Sequence, residues 1–166
     1  MSFPVLPDTS AVSLSDLQAE RTIEALAYWE TKRGGRALPL IADFNPAEIP
    51  YLLPYIVVLD VIGHARNYVF RIVGERNRDI LGVSLAGKTL EVLAEYDPGI
   101  YVASKCLMDT ICRDATPRAV EGSLWWARRP INHEAVFLPF SRNGDQVDRI
   151  IEVVAWGTWL TGTASA

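Results

Sequence analysis

Residues 69–93, VFRIVGERNRDILGVSLAGKTLEVL, constrain the fold more than any other stretch. Gly74, Gly82 and Gly87 cut them into pieces too short for a long helix. They read as a strand, a glycine stop, a short helical segment and a Gly-Lys turn. Residues 82–89, GVSLAGKT, match the phosphate-binding loop pattern G-x-x-x-x-G-K-[ST] at every position, from Gly82 to Thr89. Such a loop needs an apolar strand running into its first glycine and a long helix starting at its end. Only then do backbone N–H groups and a helix N-terminus converge on the phosphates. Here residues 75–81 are polar and helical in type, and the segment after Thr89 is short and closed by Pro98. The match is therefore read as coincidental, and nucleotide hydrolysis is not expected.

The flanking chain supplies two longer helices and the remaining strands. Ser15, with Gln18 three residues on, forms a capping box and predicts a helix over 16–32, stopped by Gly34-Gly35. Ala19, Ile23, Leu26 and Ala27 share one face of it, with Trp29 beside them. That face either covers its own domain or pairs with a second copy. Asn45 and Pro46 predict a short capped turn, and Pro50 and Pro54 forbid anything longer. The apolar run 55–62 predicts a buried strand and 63–67 a hairpin loop. A second strand follows over 68–73, with Tyr68, Phe70 and Ile72 on one face. Helical turns are expected over 77–81 and 90–94. Asp97 as cap and Pro98 as first residue open a longer helix that ends before Pro117. Ile100, Ser104, Leu107 and Ile111 lie on its apolar face, beside Tyr101, Met108 and Cys112.

Three strands close the chain, over 118–127, 133–140 and 146–156, with 128–132 and Asn143-Gly144 as the turns. With no repeat and no internal linker, residues 15–156 read as one domain. Residues 1–14 are expected to be a flexible arm and 157–166 a tail. The fold class is α+β: a five-stranded antiparallel sheet with helices on one face and an extra N-terminal helix.

Composition closes several function classes. Sixteen Lys and Arg against 20 Asp and Glu leave no basic patch for nucleic acid. No apolar run reaches the length of a membrane span, and the N-terminus lacks the pattern of a secretory signal, so a cytoplasmic location is expected. Cys106 and Cys112 fit neither a redox pair nor a zinc site, and read as reduced structural thiols. His64 and His133 have no metal-ligand spacing around them; Glu134, next to His133, points to the other sheet face. No metal is expected. Ser84 and Ser104 lack a nucleophile-elbow context, and no catalytic residue is assigned.

Asn77-Arg78-Asp79-Ile80-Leu81-Gly82, followed by Leu85-Ala86-Gly87-Lys88-Thr89-Leu90, lies on short helices between the second and third strands. In that place these residues resemble a PAS domain. Trp29, Lys32-Arg33-Gly34-Gly35-Arg36, Pro39, Asp43-Phe44-Asn45-Pro46 and Leu53-Pro54-Tyr55 resemble a group of PAS-like proteins found mainly in alphaproteobacteria. The resemblance runs over about 29–154 and accounts for both glycines and the lysine of the phosphate-loop match. It implies a sensory or protein-interaction domain, often dimeric through an N-terminal helix, which in some members holds a small molecule between sheet and helices. It implies no common cofactor for the nearest group, and none is predicted. The chain lacks the Asn-Cys-Arg-Phe-Leu-Gln context of flavin-binding members and the histidine pattern of haem-binding ones. Output is expected from an unknown protein partner in trans.

Adjacent Trp125 and Trp126 must face opposite sides of their strand, and a one-residue shift of register would exchange them. The candidate pocket residues are Phe70, Leu81, Tyr101, Met108, Trp126 and Phe137. The candidate dimer-interface residues are Ile23, Leu26, Trp29 and Trp125. The expected function is a non-catalytic PAS-like sensory or interaction module, a homodimer, with an optional small apolar ligand. One alternative is a small-molecule enzyme or carrier with a cone-like α+β fold, in which His133 meets Asp60 or Asp148. The other is a purely structural dimeric subunit.

Overall fold

A single antiparallel sheet of six strands runs in the order β1-β4-β5-β6-β2-β3. The computed structural model describes residues 8–65 and 67–157. Its strands are β1 (Thr9–Val12), β2 (Ile56–Ile62), β3 (Asn67–Val73), β4 (Arg118–Trp126), β5 (Arg129–Phe140) and β6 (Arg149–Trp156). The helices are α1 (Glu20–Arg33), α2 (Glu75–Leu81) and α3 (Pro98–Asp114). The mixed α+β class holds, but the sheet has one strand more than the sequence predicts. The extra strand is β1, within the segment expected to be a loose arm. It carries no apolar run of its own and is held by β4, with Thr9 opposite Gly122 and Val12 opposite Ala119. Gly122 has φ +143°, and an added Cβ would lie 2.1 Å from the Asp8 carbonyl oxygen. Only glycine admits so close an approach of the first strand. The rest of the arm (1–7), Arg66 of the hairpin loop and the tail 158–166 lie outside the described residues.

Helix α1 begins at Glu20, not at Asp16, and Ser15 does not cap it. Residues Leu14–Asp16 form a 3-10 turn instead. The donors at the helix start go to a distant side chain. The Gln18 and Ala19 N–H groups donate to the two Glu134 carboxylate oxygens at 2.9 and 3.0 Å, and the Thr22 hydroxyl lies against the same carboxylate. A buried anion thus satisfies donors that a helix N-terminus would leave unpaired. The buried face of α1 is Thr22, Ala25 and Trp29, rotated from the predicted one; Ile23 is exposed.

That face packs on β5 and β6, on the opposite side of the sheet from α2 and α3. Helices therefore cover both faces, because α1 lies against its own sheet. Trp29 donates its indole N–H to the Pro139 carbonyl at 2.7 Å. Tyr28, Phe44 and Phe140 stack edge to face beside it, with centroids 6.0 and 5.9 Å apart. Asn45 caps its short turn as predicted, accepting the Ala47 N–H at 3.1 Å.

Two irregularities set what faces α3. In β3 the pairing runs Val58 to Ile72 and then Leu59 to Phe70, which leaves Arg71 as an extra residue. This bulge breaks the strict alternation. Phe70 and Val73 turn inward together, while Ile72, predicted to share a face with Phe70, is exposed. At the far end of the sheet, β5 starts at Arg129 and not at residue 133. The connection from β4 is two residues, Ala127 and Arg128, at φ +49° and +64°. Paired positive φ values make a tight hairpin turn, and neither residue signals it from sequence.

Helix α3 matches its prediction closely. Asp97 caps it, accepting the Gly99 and Ile100 N–H groups at 2.6 and 3.4 Å, and Pro98 is its first residue. Ile100, Leu107, Met108 and Ile111 bury its apolar side.

Candidate functional site

The sheet and helices frame a partly open cavity of about 160 Å³ between β2–β6 on one side and α2 and α3 on the other. Strand periodicity puts Val57 and Leu59 of β2, Val120 and Trp126 of β4, Phe137 of β5 and Val154 of β6 on its wall. Phe70 of β3 follows the same alternation opposite Leu59, and the bulge at Arg71 adds Val73. From above come Leu81 of α2 and Leu107 and Met108 of α3, while Thr9 of β1 reaches one end. Of the sequence candidates, Phe70, Leu81, Met108, Trp126 and Phe137 line the cavity. Tyr101 does not: it packs part-buried against the core from the flank of α3.

Trp126 is the inward member of the tryptophan pair, and Trp125 is 58% exposed. The Trp126 indole N–H donates to the Leu81 carbonyl at 2.8 Å, and the ring stacks against Tyr96 at 4.7 Å. Trp156 donates its indole N–H to Asn77 Oδ1 at 2.8 Å. Two strands thus hold α2 by indole hydrogen bonds, and both rings present carbon to the cavity.

Polar groups on the wall are few and incompletely paired. Asn77 is fully buried and its Nδ2 has no partner. His133 is buried and its Nδ1 has none either. Burial pushes the His133 imidazole below its usual range, against the pull of the Ile131 and Gly122 carbonyls. Glu152 lies opposite Phe137 on β6 and faces the cavity. Its side chain is part-buried and lies on the cavity wall. Desolvation pushes its carboxyl up to about 7, and among the described residues neither a donor nor a cation offsets it. Glu152 is not among the residues that the sequence singles out. The available signal is its parity with Val154 and Trp156 in IIEVVAW, a lone acid on an otherwise apolar inward face.

Other candidates fall elsewhere. His133 does not meet Asp60 or Asp148. His133 pairs with Trp156 at one end of β6, whereas Asp60 pairs with Arg149 at the other. Asp60 accepts from Arg149 at 2.7 Å and Arg71 at 3.0 Å, and Asp148 from the Arg142 N–H at 2.8 Å. Trp29 is buried against β5, so it is not a surface residue, and Leu26 is part-buried against the core. Ile23 and Trp125 are exposed. Both cysteines are free.

The phosphate-loop match forms no phosphate cradle. The Gly82, Gly87 and Lys88 N–H groups donate to the Arg78, Phe70 and Leu85 carbonyls at 2.8, 2.6 and 3.0 Å. Gly82 ends α2 in the left-handed region, and a 3-10 turn, Leu90–Glu95, follows the octet where a long helix would be needed. Among the described residues, no group of three or more His, Cys, Asp or Glu side chains could hold a metal, and no helix is long and apolar enough to cross a membrane.

The sequence model of a family described as "PAS domain" matches residues 17–155. No curated protein matches the chain. Among solved structures, the fold is similar to the PAS domain of BvgS from Bordetella pertussis, with a TM-score of 0.53 and 18% identity, over 68% of this chain and 82% of that one. An RNA-binding light-oxygen-voltage receptor aligns with a TM-score of 0.49 and 12% identity, over 74% of this chain and 36% of that one.

Proposed function

This chain belongs to the PAS domain family, and on that premise we propose that it is a sensory module whose cavity takes a small, mainly apolar ligand. Occupancy would be relayed to a partner protein in trans, with no catalysis by the chain itself. The observation that carries this reading is the cavity of about 160 Å³ under α3, apolar over most of its wall and bearing polar atoms without protein partners. Packing that served stability alone would fill such a space or pair those atoms. A homodimer would use the outward side of α1 around Ile23, together with Trp125; Trp29 is committed to the sheet.

Native mass spectrometry of protein purified from its own host, repeated under denaturing conditions, tests the reading. A small mass that is retained in the native spectrum and lost on denaturation is expected. A bare chain that also gains no thermal stability from any member of a small-molecule library would refute the ligand-binding part. The same spectrum reports subunit count, and a monomer at micromolar concentration would refute the dimer.

A further inference from the structure

The polar atoms of the cavity select among ligand chemistries, an inference that rests on the ligand-binding reading above. Glu152 points its carboxylate into a space walled by carbon, with neither Lys nor Arg among the lining residues. Among the described residues its only titratable companion on the wall is His133 of β5; β1, α2 and α3 contribute the neutral polar side chains Thr9, Asn77 and Ser104. Trp126 and Trp156 line the cavity further along their strands, with their indole N–H groups taken by the Leu81 carbonyl and Asn77 Oδ1.

An anionic ligand would have to enter against an uncompensated carboxylate in a low-dielectric space, which is prohibitive. A purely apolar ligand would leave Asn77 Nδ2 and His133 Nδ1 without partners and the Glu152 carboxylate desolvated with nothing to offset it. A cation with N–H donors pairs with the carboxylate. The size limit is equally definite: an engineered cavity of about 150 Å³ holds benzene. One ring or a short branched chain fits, with a compact polar head.

We propose that the cavity recognises a small primary amine with a compact apolar body, its ammonium group set against Glu152. The apolar body packs between Phe70, Met108 and Phe137, and the N–H donors satisfy the carboxylate. Asn77 Nδ2 remains as a donor for any acceptor on the ligand body.

Isothermal titration calorimetry with benzylamine, benzyl alcohol, toluene and benzoate, at pH 8 and pH 5.5, tests this on the wild-type chain and on Glu152→Gln. Benzylamine is expected to bind at least about tenfold tighter than benzyl alcohol at pH 8, the difference a charged hydrogen bond makes. Benzoate is not expected to bind. The preference should shrink at pH 5.5, where Glu152 is protonated and any charge on His133 would also repel the amine. It should vanish in Glu152→Gln while toluene binding persists, which shows the variant cavity intact. If toluene or benzyl alcohol binds wild type as tightly as benzylamine, or the preference survives in the variant, the amine assignment falls and the ligand cavity stands. If none of the four binds wild type, both fall. The wild-type comparison at two pH values decides the matter even if the variant does not fold.

Discussion

Replacing Glu152 by Gln should make the protein more stable at pH 8 and change it little at pH 5. The carboxyl titrates at about 7 in the fold, against a usual value of 4.5. The folded state therefore binds its proton more tightly than the unfolded chain does. Stability from this group is fully present below about pH 4.5 and is lost as pH rises through 7. A tenfold change in proton affinity is worth about 1.36 kcal/mol, so the full displacement corresponds to about 3 kcal/mol. Between pH 5 and pH 8 the wild type should lose about 2–3 kcal/mol relative to the variant. Water in the cavity would solvate the carboxylate and reduce this, so the figure is an upper value. Gln keeps the shape and hydrogen-bonding capacity but cannot ionise, and His133, common to both proteins, cancels to first order. The assay is urea unfolding of both proteins at pH 5, 6, 7 and 8, read as the difference in unfolding free energy. A difference that stays flat across this range, or that favours the wild type at pH 8, would refute the premise that Glu152 is desolvated on the cavity wall without a partner.

Glu134→Ala should cost about 2–4 kcal/mol in urea unfolding, since it strands the Gln18 and Ala19 N–H groups and removes the anion at the start of α1. Hydrogen exchange should show α1 amides losing protection before those of β5 and β6; a loss under about 0.5 kcal/mol would contradict the capping role. Gly122→Val should release β1, because its Cβ has no room beside Asp8 and Thr9 and the backbone sits at φ +143°. Amides of Ser10, Ala11 and Val12 should then exchange freely while the β5–β6 ladder stays protected, and unchanged exchange in β1 would contradict the close-approach argument.

What can be read from sequence is what local chemistry decides. Asp97 and Pro98 announce the start of α3, and its apolar stripe follows from spacing within one helix. The cavity wall is largely legible for the same reason: Phe70, Met108, Trp126 and Phe137 occupy positions that strand or helix period assigns. The misses each depend on a partner far along the chain. The start of α1 is set by Glu134, 115 positions away from Ala19. Strand β1 exists because Gly122 admits it, not because TSAV favours a strand. The Ala127-Arg128 turn is imposed by the register of β4 and β5 on residues with no preference for positive φ. Glu152 escapes notice because a single acid in a strand reads as solvent-facing until the strands on either side are known.

The alternation of β5 places His133 on the cavity wall and Glu134, the next residue, at the foot of α1 on the other side of the sheet. The two sites are thus joined by one peptide unit. Should filling of the cavity shift β5 by a fraction of an ångström, the free-energy coupling between ligand and helix must be reciprocal. A protein surface that captures α1 in its undocked position would then lower ligand affinity by the same factor by which ligand disfavours that capture. Measuring either equilibrium with and without the other component gives the coupling constant.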